Sequence, residues 1–344
     1  MANTVNILQP NRAIVVAPGR TILEVALEEG IAYPHGCRSG RCGSCKTRLI
    51  GGDVDLLPHT PFALTPEERA SGLILACRAQ PTTDATVAWL GKQDDAAHPV
   101  RSIPARVVAL DDATHDIRRV RLAPENAEPL TFSAGQYARL TFDGAPTRDY
   151  SMANQPGEAV LEFHIRRVPG GATSERVVSD LAVGEPVLVQ GPFGSSFLRH
   201  RHTGPVLVVA GGSGMAPMKS IVETALNHGF RQPIRFYFGV REERDLYLDG
   251  HFQNLCARHP NLSFVPVLSQ ADSAGHRTGL VTEAIAEDLE ALRGWKAYMA
   301  GPPAMTDAAA PLLLERGLPA EDLHVDVFFT PEATVPTNQE EVVA

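Results

Sequence analysis

Apolar and polar positions follow different rules in different parts of the chain. Near the start, two short apolar runs, Val5–Leu8 and Ala13–Val16, are separated by Pro and Asn, which predicts a β-hairpin. Thr21-Ile22-Leu23-Glu24 then has the form of a capping box, ahead of a helical pattern that stops at Gly30. A Gly- and Cys-rich loop follows, with a strand predicted around Thr47–Ile50. From about Arg101 to His200 the pattern is one of short alternating strands, such as Ala105–Leu110, Ile117–Leu122 and Tyr137–Phe142, and predicts a small antiparallel barrel. From about His202, strand-like runs alternate with helix-like ones. Val206–Ala210 precedes Met215–Asn227, Ile234–Val240 precedes Asp249–Ala257, and Phe264–Leu268 precedes Val281–Leu292. Ala297–Ala300 precedes Ala304–Arg316, and Leu323–Phe328 closes the series. Such alternation predicts an open, Rossmann-like parallel α/β sheet.

These changes divide the chain into 1–94, 100–201 and 202–330, the first two joined by the polar segment Lys92–His98. The tail 331–344 is polar, acidic and proline-bearing and is expected to be disordered. The length of 344 residues suits two or three domains. A hydrophobic share of 44% supplies apolar material for several cores. The net charge of −9 speaks against nucleic acid or an anionic membrane surface as partner, since both attract basic faces. No run approaches the roughly 20 apolar residues that span a bilayer, and Met1 to Pro10 lacks a signal-peptide layout, so the expected compartment is the cytoplasm.

Four of the five cysteines fall between Cys37 and Cys77, which in a chain of this length points to a metal site rather than a disulfide framework. Cys37, Cys42 and Cys45 are spaced C-x4-C-x2-C, with Cys77 downstream, the ligand spacing of a plant-type [2Fe-2S] cluster. Four thiolates give such a cluster net negative charge, and Gly40 and Gly43 let backbone N–H groups turn toward its sulfurs. A structural zinc site is the alternative, but zinc ligands usually come as two C-x2-C pairs and here the second pair is missing. Cys256, in a helical pattern, reads as a buried small hydrophobe.

Two further constellations bind phosphate-bearing groups in this reading. Arg148-Asp149-Tyr150-Ser151 lies at a strand end, and Val168-Pro169-Gly170-Gly171-Ala172-Thr173-Ser174 enters a helix, where free N–H groups and the helix dipole favour an anion. Arg148 can add a charge-assisted contact to the same phosphate, Tyr150 can lie against a flavin ring, and the Ser151 hydroxyl can bond near its reactive nitrogen. R-x-Y-S alone is weak; its order relative to the Gly-Gly element gives it meaning. In the last third, Gly211-Gly212-Ser213-Gly214-Met215 joins an apolar strand to a helix. It departs from G-x-G-x-x-G but uses the same mechanics, small residues that admit a dinucleotide phosphate at a helix start; a plain tight turn is the alternative. Arg241, with Asp245 and Tyr247, and Gly301-Pro302 lie at other strand ends on the same expected sheet edge, where ligands of open α/β sheets collect.

Together, the four cysteines, RDYS, VPGGATS, GGSGMAP, FGVR and GPPAM, in that order, resemble the reductase components of bacterial aromatic-ring (Rieske-type) oxygenases, within the ferredoxin–NAD(P)H reductase superfamily. The resemblance covers roughly Val5 to Phe329. It implies a β-grasp-like [2Fe-2S] ferredoxin domain, an FAD barrel and a nicotinamide domain. It also implies electron flow from NAD(P)H through FAD and the cluster to an oxygenase component or to a Rieske or plant-type ferredoxin. An acceptor such as a di-iron monooxygenase or a deoxysugar dehydratase is the alternative. By the same resemblance, Arg148, Tyr150 and Ser151 hold the flavin, with Tyr150 and Ser151 nearest the chemistry. His164, Ile165 and Arg166 line its ribityl and phosphate side, and Gly171, Ala172, Thr173 and Ser174 meet the pyrophosphate. Phe328 or Phe329 lies near the ring face, though both can equally be core. Asp326 stands near them. Ala300 replaces a cysteine that many relatives have before the Gly-Pro turn. Leu268-Ser269-Gln270-Ala271 lacks the arginine that would favour NADPH, so NADH is expected, although Arg241, Arg244 and Arg277 lie within reach of the same region. Arg38, Arg41, Lys46 and Arg48 make the cluster loop basic, suited either to steering an acidic acceptor or to plain solvation.

Overall fold

The fold was obtained as a computed structural model, which describes residues 2–90, 98–125, 130–270 and 275–328. The core of the linker and the tail expected to be disordered lie outside these residues, as does Phe329.

The first domain contains β1 (Asn3–Ile7), β2 (Arg12–Val16), α1 (Ile22–Glu28), β3 (Lys46–Gly51), β4 (Val54–Leu56), α2 (Pro66–Ala70), β5 (Leu73–Leu75), β6 (Ala79–Pro81) and β7 (Ala85–Trp89). Its five-stranded mixed sheet runs β2-β1-β7-β3-β5, with β1 and β2 forming the expected hairpin and β4 pairing with β6 apart from it. Inward-facing Val5, Ile7, Ile14 and Val16 alternate with outward residues and meet Ile22, Leu23, Val25 and Ala26 of α1, whose capping box is formed. The short elements β4 to β6 and α2 carry too few residues for a hydrophobic period, so the sequence pattern does not reveal them.

The second domain is a closed antiparallel barrel of β8 (Arg101–Asp112), β9 (Ile117–Pro124), β10 (Tyr137–Phe142), β11 (Arg148–Ser151), β12 (Leu161–Arg166) and β13 (Pro186–Phe193), in the order β11-β10-β13-β8-β9-β12. A bridge between Met152 and Phe163 closes it. One helix, α3 (Ala172–Ser179), leaves the end of β12.

The third domain is parallel throughout. Its strands are β14 (Val206–Gly211), β15 (Ile234–Val240), β16 (Leu262–Leu268), β17 (Arg277–Thr278), β18 (Lys296–Gly301) and β19 (Leu323–Val327), ordered β17-β16-β15-β14-β18-β19. The helices are α4 (Met215–Asn227), α5 (Asp249–Arg258), α6 (Val281–Asp288) and α7 (Pro303–Glu315). The third helix ends at Asp288, short of the expected Leu292. Every residue of β14 is buried, as a parallel strand covered on both faces requires.

Helix α4 is buried on all sides from Met215 to Leu226, polar residues included. One face packs on the sheet, and the other reaches the barrel. There Lys219 Nζ donates to the Ala153 carbonyl at 3.1 Å, and Ser220 Oγ to the Asn154 carbonyl at 2.7 Å. Ile117, Ala134 and Leu198 of the barrel side join the same core as Val208, Met218 and Ile221, so the second and third domains share one hydrophobic interior. Among the described residues, no helix is long and apolar enough to cross a membrane.

Candidate functional site

The four clustered cysteines are free of disulfides and converge in one loop region. Cys37 and Cys42 are hydrogen-bonding neighbours, and so are Cys45 and Cys77. The bond from Cys42 holds the Cys37 thiol below the ordinary range, while the partner thiol and burial push Cys42 and Cys77 up. The amide of Cys37 donates to Cys42 Sγ and that of Arg41 to Cys37 Sγ, each at 3.3 Å. This inward turn of N–H groups depends on left-handed backbone: Arg38 has φ 55° and Gly40 φ 75°. A Cβ at Gly40 would also lie 2.8 Å from Arg78 Cγ. Two thiol pairs with amides aimed at sulfur fit two irons held by two thiolates each.

Arg148 and Asp149 open onto a cleft of about 570 Å³ that Arg38, Arg139, Thr147 and Gln190 also line. The start of α3 lies beside it, because Thr173 Oγ1 donates to the Pro146 carbonyl at 2.6 Å. No side chain caps α3, so its first N–H groups and the Arg148 guanidinium of the neighbouring cleft together make a donor set that fits a pyrophosphate. The hydroxyls of Thr173 and Ser174 are already engaged, Thr173 with Pro146 and Ser174 with Val168 and Gly171 of its own loop, so any phosphate contact there belongs to the backbone of Gly171 to Ser174. Tyr150 is half-buried against the barrel core. Ser151 Oγ donates to Asp326 Oδ2 at 3.1 Å, across the join between the barrel and the third domain. Burial raises the Asp326 carboxyl to about 7, with Ser151 opposing.

The β12 residues behave differently from one another. Ile165 is wholly inside the barrel core and presents no side chain to a ligand. The His164 ring is buried with both nitrogens engaged, Nε2 by Glu162 at 2.9 Å and Nδ1 by the Tyr247 hydroxyl at 3.0 Å. A flavin contact at either residue therefore falls to the backbone. Arg166 Nε donates to Asp116 at 2.7 Å, and its guanidinium reaches the Gly212 turn, where an added Cβ would stand 3.4 Å from Nη1.

Around His164 a charged network joins the two domains. Glu162 meets Arg119 at 3.1 Å, Arg121 at 3.3 Å and Lys219 at 3.9 Å; Lys219 meets Glu223 at 3.1 Å, and Glu223 meets His251 at 2.6 Å. Burial works against ionised Glu162, yet the His164 bond and Lys219 hold its carboxyl well below the usual range. The sequence gives no sign of this network, because its members come from separate strands and helices.

Gly211, Gly212, Ser213, Gly214 and Gly301 meet at the carboxyl ends of the neighbouring strands β14 and β18. A Cβ on Gly214 would lie 2.1 Å from the Ala300 carbonyl oxygen, and one on Gly301 would lie 3.1 Å from the Gly211 nitrogen. Met215 is fully buried beneath them, and the Pro302 carbonyl receives the Met305 amide at 3.1 Å. The Phe328 amide donates to the Gly301 carbonyl at 2.9 Å, and its half-buried ring packs on the shared core. Arg241 lies at the end of β15, 3.5 Å from Asp245. Cys256 is half-buried against the same core.

The basic cluster loop is drawn inward. Arg38 pairs with Asp149 of β11, Arg41 with Asp307 of α7, and Lys46 with Glu68 at 2.7 Å; Arg48 donates to the Ser71 carbonyl. The loop also packs against the third domain, where Cys37, Cys42 and Phe62 join Met299 and Leu313.

Comparison with known proteins agrees with this geometry. Residues 5–82 match the 2Fe-2S iron-sulfur cluster binding domain, residues 104–197 the oxidoreductase FAD-binding domain and residues 208–310 the oxidoreductase NAD-binding domain. The chain is 42% identical, over 90% of its length and 94% of the relative's, to the ferredoxin–NAD(P)+ reductase component of the naphthalene 1,2-dioxygenase/salicylate 5-hydroxylase systems of a Ralstonia species. It is 39% identical, over 94% and 98%, to that of the naphthalene 1,2-dioxygenase system of Pseudomonas putida. Among solved structures, the Amycolatopsis cytochrome P450 reductase superposes with a TM-score of 0.76 at 38% identity, covering 95% of this chain and 98% of that one. The chain belongs to the family of iron–sulfur flavoprotein reductase components that serve oxygenase systems, with 2Fe-2S, FAD-binding and NAD-binding domains in that order.

Proposed function

We propose that this chain oxidises NADH, in preference to NADPH, and delivers its electrons singly through FAD and a [2Fe-2S] cluster to an aromatic-ring oxygenase component or its ferredoxin. When bound, the flavin takes two electrons together and releases them one at a time, which reconciles a two-electron donor with a one-electron cluster. The observation that carries the reading is that Arg38, inside the cysteine loop, lines the same cleft as Arg148 and Asp149 of the RDYS strand.

The chain's own residues position and insulate. Arg148 and the first amides of α3 hold the flavin's phosphates, and Tyr150 shields one side of its ring. Ser151 and Asp326 form a hydrogen-bonded pair that can hold or pass a proton beside the flavin. The Gly211–Gly214 and Gly301–Pro302 turns, with Arg241, admit the nicotinamide coenzyme at the edge of the parallel sheet, and Phe328 lies near the flavin's ring face. Cys37, Cys42, Cys45 and Cys77 ligate the cluster. The preference for NADH is supported by the arginines near the expected adenosine end, each held by a carboxylate. Arg277 pairs with Glu287 and Asp288, Arg244 with Glu242, and Arg241 with Asp245.

The division into 1–94, 100–201 and 202–330 is part of this proposal, supported by sheets that do not cross it: a five-stranded and a two-stranded sheet in the first part and one six-stranded sheet in each of the others. So is a reducing, cytoplasmic setting, which keeps four thiols available to iron. An anaerobic visible spectrum before and after NADH tests the whole reading. Flavin bands and a broad iron–sulfur shoulder, both bleaching, are expected; a protein that stays colourless after cofactor reconstitution would overturn it.

A further inference from the structure

His35 lies two residues before the first cysteine, yet its contacts outside the first domain run to the barrel side. Its carbonyl accepts from the Ser195 amide at 2.9 Å and from Ser195 Oγ at 3.0 Å. Its ring is buried, with Nδ1 2.7 Å from the Tyr33 carbonyl and Nε2 3.0 Å from the Tyr137 hydroxyl. A carbonyl only accepts, so Nδ1 carries the ring proton. Arg38 Nη2 already donates to the Tyr137 oxygen at 3.0 Å, which leaves the phenolic proton to point into Nε2. The hydrogen bonds thus run in one direction, from Arg38 to Tyr137 to His35 to the Tyr33 carbonyl. Tyr33 continues the line through its own hydroxyl, 2.7 Å from Thr47 Oγ1, which donates at 3.0 Å to the carbonyl of Cys45.

The other end of the line is equally well placed. Tyr137 is the cross-strand partner of Ser151. Its ring packs on Phe193, with centroids 5.7 Å apart, and Gly194 leaves room for it: a Cβ there would stand 3.0 Å from Tyr137 Cδ1. Arg38 is tied in turn to Asp149, next to Arg148. His35 is therefore held through its ring against Tyr137 of β10, the strand that pairs with RDYS, and through its backbone against Ser195, just beyond β13.

We propose that His35 and Tyr137, oriented by Arg38, are positioning residues that dock the cluster domain on the flavin barrel and set the contact through which electrons leave the flavin for the cluster. The inference rests on the proposed function and adds to it the residues that fix the domain-to-domain geometry. Electron tunnelling falls steeply with separation, so a buried, directed and charge-tied contact sets the rate of that single step. Reduction of the flavin by coenzyme does not pass through this contact.

The test compares the full-length protein with Tyr137→Phe, His35→Gln and His35→Phe. Tyr137→Phe keeps the ring on Phe193 and removes only the hydroxyl; His35→Gln keeps an acceptor near Nε2. Stopped-flow absorbance should show flavin reduction by NADH unchanged and cluster reduction slowed about tenfold in Tyr137→Phe and His35→Phe, the scale of one lost buried hydrogen bond. His35→Gln should recover most of the rate, and the cluster midpoint potential should not move. Independently of any cofactor, amide hydrogen exchange at Ser195 should quicken in Tyr137→Phe and His35→Phe. Wild-type cluster reduction with unchanged exchange would overturn the proposal. So would equal slowing of both redox steps, or a potential shift large enough to account for the slowing. If the wild-type protein showed no flavin or cluster signal, the functional reading would fail, while the exchange result would still decide the docking role.

Discussion

Ser151 and Asp326, 175 residues apart in sequence, share a hydrogen bond of 3.1 Å that ties the end of the RDYS strand to the last strand of the nicotinamide domain. The pair sits where three things meet: the flavin strand, the closing strand and, through Arg38, the cluster loop. An ionisable group at such a junction reports on the integrity of the whole site.

Burial raises the Asp326 carboxyl to about 7, above its ordinary 3.8. A group whose folded value is raised in this way binds its proton more tightly when folded. Folding is therefore favoured at low pH, and that benefit is lost as pH rises from about 4 through about 7. Asp326→Asn removes the ionisation. The difference in thermal midpoint between variant and wild type should shift in favour of the variant across that window and level off above it. A constant difference from pH 4 to 8 would contradict the assignment.

The strand-end glycines should separate by mechanism. Gly214 has ordinary helical backbone, φ −60°, but its Cβ would meet the Ala300 carbonyl at 2.1 Å, a rigid neighbour. Gly214→Ala should lose about 1–3 kcal/mol and weaken coenzyme binding, as overpacking does. At Gly212, φ is 55° and a Cβ would meet only the end of the long Arg166 side chain, at 3.4 Å. Gly212→Ala should cost about 1 kcal/mol through backbone strain. Urea midpoints measured side by side check the order, and a larger loss at Gly212 would refute it.

Glu162→Gln should be among the most damaging single changes at the interface of barrel and nicotinamide domain. It leaves Lys219, Arg119 and Arg121 without their shared carboxylate, at a cost of about 3 kcal/mol. Because its folded value is depressed, Glu162 contributes stability that is present above the unfolded carboxyl range, about 4.3, and lost as pH falls below it. The wild type should lose stability below pH 4 more steeply than the variant in acid-unfolding curves.

Coenzyme preference is expected to follow the arginine pairings. The ratio of kcat/KM for NADH to NADPH should exceed about tenfold, since Arg241, Arg244 and Arg277 are each held by a carboxylate and no arginine stands at Ser269 or Gln270. Gln270→Arg should narrow the ratio by raising activity with NADPH; an unchanged ratio would mean that the 2′-phosphate lies elsewhere.

Much of this architecture is legible in sequence because its signals are local. The C-x4-C-x2-C spacing, the capping box at Thr21 and the strand–helix alternation after His202 each use neighbouring residues, and the folded chain shows them within a few positions. What escapes is long-range pairing. Nothing near Arg38 or Arg41 tells that they reach Asp149 and Asp307, 111 and 266 residues away, so an outward-facing basic rim was as good a reading as any. His164 was similarly opaque: its place beside a flavin motif suggested a ligand contact, whereas both ring nitrogens belong to an interdomain network. Ile165 follows the simple alternation of a strand, which turns it into the barrel.

The burial of the cysteines beneath the docked face has a consequence for biogenesis. Cys42 is 8% exposed and, with Cys37, packs against Met299 and Leu313 of the third domain, while Arg38 and Arg41 of the same loop reach Asp149 and Asp307, all of which lie later in the chain. During synthesis the thiols emerge from the ribosome first and stand open to cluster-delivery machinery while their cover is still being made. Once the later domains close over them, exchange with the solvent-borne iron pool is slow. Cofactor loading is therefore a matter of timing as much as affinity, and iron shortage during translation would leave a folded reductase that later iron repairs only by first loosening its domains.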